Sequence, residues 1–125
     1  MKKLITIGGI YNILFALFHT GFWKMFNWNA ELEKLDFNNK WAMQILNIQT
    51  IYYLIFTAVI CFVFKNELLT TRVGKWLLIG MAGFWFVRAM EQFVYWEMGA
   101  ASTIIMVLFF LSGSGLFLVP AIRKL

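Results

Sequence analysis

Four apolar stretches, each close to the ~20 residues that span ~30 Å of hydrocarbon, constrain this chain more than any other feature. In hydrocarbon every backbone N–H and C=O must be paired within the protein, so runs of this length cross as α-helices. The pattern predicts helices over residues 4–22, 41–64, 74–96 and 100–121, with residues 24–40 as the one sizeable loop. Short connections make consecutive helices antiparallel neighbours. The expected fold is an all-α integral membrane protein, an antiparallel bundle of four transmembrane helices, with residues 1–125 as a single membrane domain.

Composition agrees with that class. The chain is 62% hydrophobic and 14% charged, where a soluble domain would be about 45–50% apolar and about 25% charged. The net charge of +5 does not imply nucleic acid, because Lys2, Lys3, Lys65, Arg72, Lys75, Arg123 and Lys124 fall at the ends of apolar runs rather than in a patch. Cys61 is the only cysteine, which rules out an intrachain disulfide and a cysteine-based metal site, and it reads as a small core hydrophobe. Met1-Lys2-Lys3 before an apolar run resembles a signal peptide, but Phe15 to Gly21 makes a poor cleavage site, so an uncleaved first helix is expected.

Lys and Arg near the helix ends set orientation. The N-terminus, residues 65–75 and the C-terminus carry most of them, so both termini are expected to be cytoplasmic, in a cytoplasmic (inner) membrane. Trp23, Trp28, Trp41 and Trp96 would form the outer aromatic belt, with Trp76 at the cytoplasmic interface. In the outer loop, Asn29 to Leu35 suggests a short helix capped by Asn29. Leu32, Leu35 and Phe37 would dip into the interface, either as a plain connector or as a lid.

Within the spans lie polar groups that apolar helices normally exclude: Asn12 and His19; Gln44, Asn47 and Gln49; Arg88, Glu91 and Gln92. An ionisable side chain in hydrocarbon costs a few kcal/mol or more, so it faces a partner or a cavity. Given the expected orientation, these lie in the outer half, with Asn12 near the middle. Arg88, Glu91, Gln92 and Tyr95 follow i, i+3, i+4, i+7, with Trp85 and Met81 extending the stripe. Asn12 and His19 share a face, as do Gln44, Asn47 and Ile51, whereas Gln49 lies off it. Small residues (Gly8, Gly9, Gly80, Ala82, Gly83 and Ser112 to Gly115) fall in the inner half and would let backbones approach. The combination suggests a cup pinched on the cytoplasmic side and open outward.

The chemistry follows from the residue types. Arg88 and Glu91 are spaced for an intrahelical ion pair, and the Arg88 fork suits planar anionic oxygens. His19 and Glu91 are the candidate catalytic residues, as a proton-transfer pair. His19, Asn47, Trp85, Arg88, Glu91, Gln92 and Tyr95 are the candidate ligand-binding residues. No cofactor is indicated. One histidine and one inward glutamate fall short of the three protein ligands of a catalytic zinc site. Three functions fit: binding or transport of a small amphipathic molecule or lipid, a membrane enzyme acting on a lipid-like substrate, or an accessory subunit of a membrane complex. Beyond the lipid bilayer, the expected partners are that ligand and a second copy or larger complex docked on the Gly/Ser-rich fourth span, but no nucleic acid.

Overall fold

A computed structural model describes residues 1–95 and 99–122. Among the described residues the structure is helical, without a strand: α1 (Lys2–Thr20), α2 (Phe22–Met25), α3 (Trp28–Glu31), a 3-10 turn (Leu32–Lys34), α4 (Phe37–Val63), α5 (Lys65–Thr70), α6 (Arg72–Tyr95) and α7 (Ala100–Ile122). Four of these, α1, α4, α6 and α7, are long and apolar enough to cross a membrane. The chain is an integral membrane protein by that measure.

The helix starts differ from the hydropathy pattern for local reasons. α4 begins at Phe37 rather than near residue 41 because Asp36 caps it: its Oδ1 accepts from the Asn39 backbone N–H at 3.0 Å, and its Oδ2 accepts from the Asn39 side chain at 2.6 Å. Likewise α6 starts at Arg72, since Thr71 Oγ1 accepts from the Gly74 N–H at 2.9 Å. Glycine is required at position 74, because a Cβ there would collide with the Glu67 carbonyl oxygen and Leu68 Cα.

The segment expected as a loop is mostly short helical turns. The residue before α3 is Asn27, in the left-handed region at φ 50°, and it makes no side-chain cap bond; Asn29 lies inside the helix. Asparagine tolerates that backbone because its short polar side chain reduces the steric penalty. Two ion pairs brace the segment, Lys34 to Glu31 at 2.8 Å and Lys40 to Glu33. Leu32 is buried, whereas Leu35 and Phe37 are exposed.

The described chain forms two compact units. One joins Met1–Gly8 to the described part of Ile60–Leu125, and the other is Gly9–Val59. In the first, α6 and α7 pack antiparallel: Ser114 Oγ donates to the Ala82 carbonyl at 2.9 Å, and Trp85 stacks on Phe110 with ring centroids 6.0 Å apart. Leu78, Met81, Trp85, Ala89, Phe110 and Phe117 form its core. Gly8 belongs to this unit, since a Cβ there would lie 2.6 Å from the Phe117 ring. Cys61 is fully buried, its thiol 4.0 Å from Met81 sulfur. In the second unit the pairings 12 with 57 and 19 with 47 run oppositely along α1 and α4, and that of 23, in α2, with 44 continues the order, so α1 and α4 are also antiparallel.

Small residues serve packing only in part. Ser114 and Gly8 sit at close contacts, whereas a Cβ at Gly80, Gly83 or Gly115 would meet nothing within 4 Å. Gly80 and Gly83 lie on the exposed side of α6, away from Leu78, Met81 and Trp85.

Candidate functional site

Several polar residues of Gly9–Val59 bond to one another. Asn12 is 1% exposed and donates from Nδ2 to Thr57 Oγ1 at 2.8 Å. Thr57 in turn donates to the Tyr53 carbonyl at 2.8 Å, within its own helix. Asn47 is buried and meets His19 twice: its Nδ2 donates to the His19 carbonyl at 3.0 Å, and its Oδ1 lies 2.7 Å from His19 Nδ1. Nearer the short turns, Trp23 Nε1 donates to Gln44 Oε1 at 3.2 Å, and Gln44 Nε2 donates to the Lys40 carbonyl. The rings of Phe22 and Phe18 hold the imidazole of His19, one stacked at 4.4 Å and the other edge-on at 5.9 Å. Gln49 is exposed, off the face shared by Gln44 and Asn47.

The α6–α7 unit treats its charge differently. The Arg88 guanidinium lies 4.5 Å from the centroid of Phe110, a cation–π contact, and donates to Gln92 Oε1 at 3.1 Å. Gln92 is 1% exposed. The intrahelical ion pair with Glu91 does not form: among the described residues the ion pairs are those of Lys34 and Lys40, and Glu91 acts on Arg88 only through space. A guanidinium has five N–H donors, and here one neutral oxygen and one ring face are what the unit sets against it.

The stripe of Arg88, Glu91, Gln92 and Tyr95 therefore divides. Gln92 is buried and Arg88 half-buried, whereas Glu91 is exposed and Tyr95 is 81% exposed. The reason is helical phase. At about 100° per residue, the buried face made by Leu78, Met81, Trp85, Ala89 and Gln92 is centred on Trp85. Arg88 stands at its edge, and Glu91 lies roughly 120° around the helix from its centre.

Of the candidate residues, the structure joins His19 with Asn47 in one unit, and Trp85, Arg88 and Gln92 in the other, where Phe110 touches both Trp85 and Arg88. It leaves Glu91 and Tyr95 on the surface of α6. Sequence reasoning missed Thr57, Trp23 and Phe110 as partners. Thr57 left little signal, since it lies about 100° around α4 from the stripe of Gln44, Asn47, Ile51 and Leu54, which Ala58 continues. Phe110 had none, being one of 14 phenylalanines. The sequence matches no family model, and neither a curated protein nor a solved structure shows significant similarity to it.

Proposed function

We propose that this protein binds a small amphipathic molecule or lipid, and that Arg88 holds its anionic end. One observation carries the reading: a half-buried guanidinium within a membrane-spanning helix, oriented by Phe110 and Gln92 but in contact with no carboxylate among the described residues. Removing a charge from water without a counter-ion is costly, and an arriving anion reduces that cost. Arginine binds carboxylate or phosphate oxygens in a planar, two-pronged manner, and the stacked Trp85 and Phe110 rings give the site a rigid apolar wall. The Lys and Arg distribution supports both termini on the cytoplasmic side of a cytoplasmic membrane.

Native mass spectrometry of the gently extracted protein, wild type beside Arg88→Ala, tests this. An anionic amphiphile retained by wild type and lost from the variant supports the reading and identifies the class. Equal retention by both overturns it.

A second reading, an accessory subunit without small-molecule chemistry, draws on the reciprocal bonding of Asn12, His19, Gln44 and Asn47, which is what helix-to-helix adhesion requires. On that reading the extracted chain carries no ligand and co-purifies with a partner protein, and Gly113→Leu in the Gly/Ser-rich segment of α7 breaks the complex. If every complex survives Gly113→Leu, this reading loses its support.

A further inference from the structure

We infer that Asn47 is a positioning residue that locks His19 as the Nδ1–H tautomer, so that Nε2 is the ring nitrogen that can take up a proton. The donor and acceptor roles within Gly9–Val59 fix this tautomer. The His19 backbone carbonyl can only accept, so the Asn47 amide atom 3.0 Å from it is the nitrogen. The other amide atom is then the oxygen, which cannot donate. The ring nitrogen 2.7 Å from that oxygen must therefore carry the proton, and it is Nδ1. A neutral imidazole carries one ring proton, which leaves the lone pair on Nε2.

The ring cannot easily turn to undo this. Phe22 stacks on its face at 4.4 Å, Phe18 meets it edge-on, and the backbone bond from Asn47 fixes the amide. When a donor D–H passes its proton to Nε2, D keeps the electron pair and the ring becomes imidazolium. The Nδ1–H to Oδ1 bond is the same before and after. Proton gain and loss therefore proceed without reorienting the ring. Because asparagine is neutral, it fixes the tautomer without adding a charge beside the imidazolium.

His19 is the only histidine, so its ring signals need no assignment. The experiment is NMR of ring-15N-labelled histidine in the full-length protein in lipid, at a pH where the ring is neutral. Wild type is expected to show a protonated Nδ1 and an unprotonated Nε2. Asn47→Leu, which removes the acceptor, is expected to lose that bias, and Asn47→Asp, which keeps an acceptor in place, is expected to retain it. A wild-type ring protonated on Nε2 overturns the inference, as does a folded Asn47→Leu protein with unchanged tautomer. If Asn47→Leu does not fold, the Asn47→Asp spectrum decides: Nδ1–H supports the lock, and Nε2–H refutes it.

Discussion

The two units of this protein handle intramembrane polarity in opposite ways. In Gly9–Val59 several polar side chains bond donor to acceptor between α1 and α4, His19 and Asn47 twice and Asn12 to Thr57. In the α6–α7 unit the strongest charge, Arg88, rests on an aromatic ring and one amide oxygen. A matched pair lowers the cost of its own burial and holds two helices together. A cation that touches no carboxylate among the described residues keeps donors that suit an anion. Polar side chains thus join helices in one unit, and in the other they support the proposed anion site.

The largest test of that contrast is Arg88→Ala. Hydrogen bonds to charged groups contribute about 1.5–3 kcal/mol, so retention of an anionic amphiphile should fall at least about tenfold while thermal stability in detergent changes little. Arg88→Lys should fall between the two, because an ammonium keeps the charge and loses the planar fork. Ligand titration beside a melting curve checks both quantities. A large stability loss with unchanged retention would make Arg88 adhesive too and remove the contrast.

Asn47→Leu should do the reverse. It strips two contacts and leaves the His19 carbonyl and Nδ1 without Asn47, at about 1–3 kcal/mol for an unsatisfied buried group. Equilibrium unfolding in mixed micelles should show the loss, with retention at Arg88 unchanged. Retention falling in step with stability would show that the two units do not act independently.

How much of this was visible beforehand depends on the kind of signal. Four apolar lengths sufficed for α1, α4, α6 and α7, because membrane thickness sets a length that hydropathy reads directly. The helix starts did not follow from hydropathy: Asp36 and Thr71 begin α4 and α6 through hydrogen bonds from polar segments, although Asp36-x-x-Asn39 is a readable cap pattern. The stripe on α6 was seen but its buried edge was not. An i, i+3, i+4, i+7 set spans a broad arc, and only packing reveals that Gln92 lies inside it while Glu91 and Tyr95 do not. Thr57 escaped notice because a threonine bonded to its own helix backbone costs little and does not look anomalous in an apolar run.

A smaller effect is expected at the Asn12–Thr57 contact. Interhelical hydrogen bonds within membranes average about 0.6 kcal/mol in double-mutant cycles. Asn12→Leu, Thr57→Val and the double variant should give a coupling of that size in an unfolding assay. No measurable coupling would mean that the unfolded-in-membrane state satisfies both groups equally well, and that adhesion in this unit rests on Asn47 and His19.

The smallest expected effect tests the boundary of the proposed anion site. Glu91 is adjacent in sequence to Gln92 yet lies off the buried face of α6, exposed, and influences Arg88 only through space. Glu91→Gln should therefore leave stability within about 0.5 kcal/mol, as surface substitutions usually do. Its effect on binding has a definite sign. A carboxylate near Arg88 repels an anion approaching the guanidinium, so removing that charge should leave retention unchanged or tighten it, by no more than about threefold given the weakness of exposed charge interactions. Weaker retention in Glu91→Gln would show that the carboxylate contacts the ligand. The site would then extend from Arg88 around α6 to its exposed side, and the proton-carrying role of Glu91 suggested by its residue type would need a ligand-side partner there.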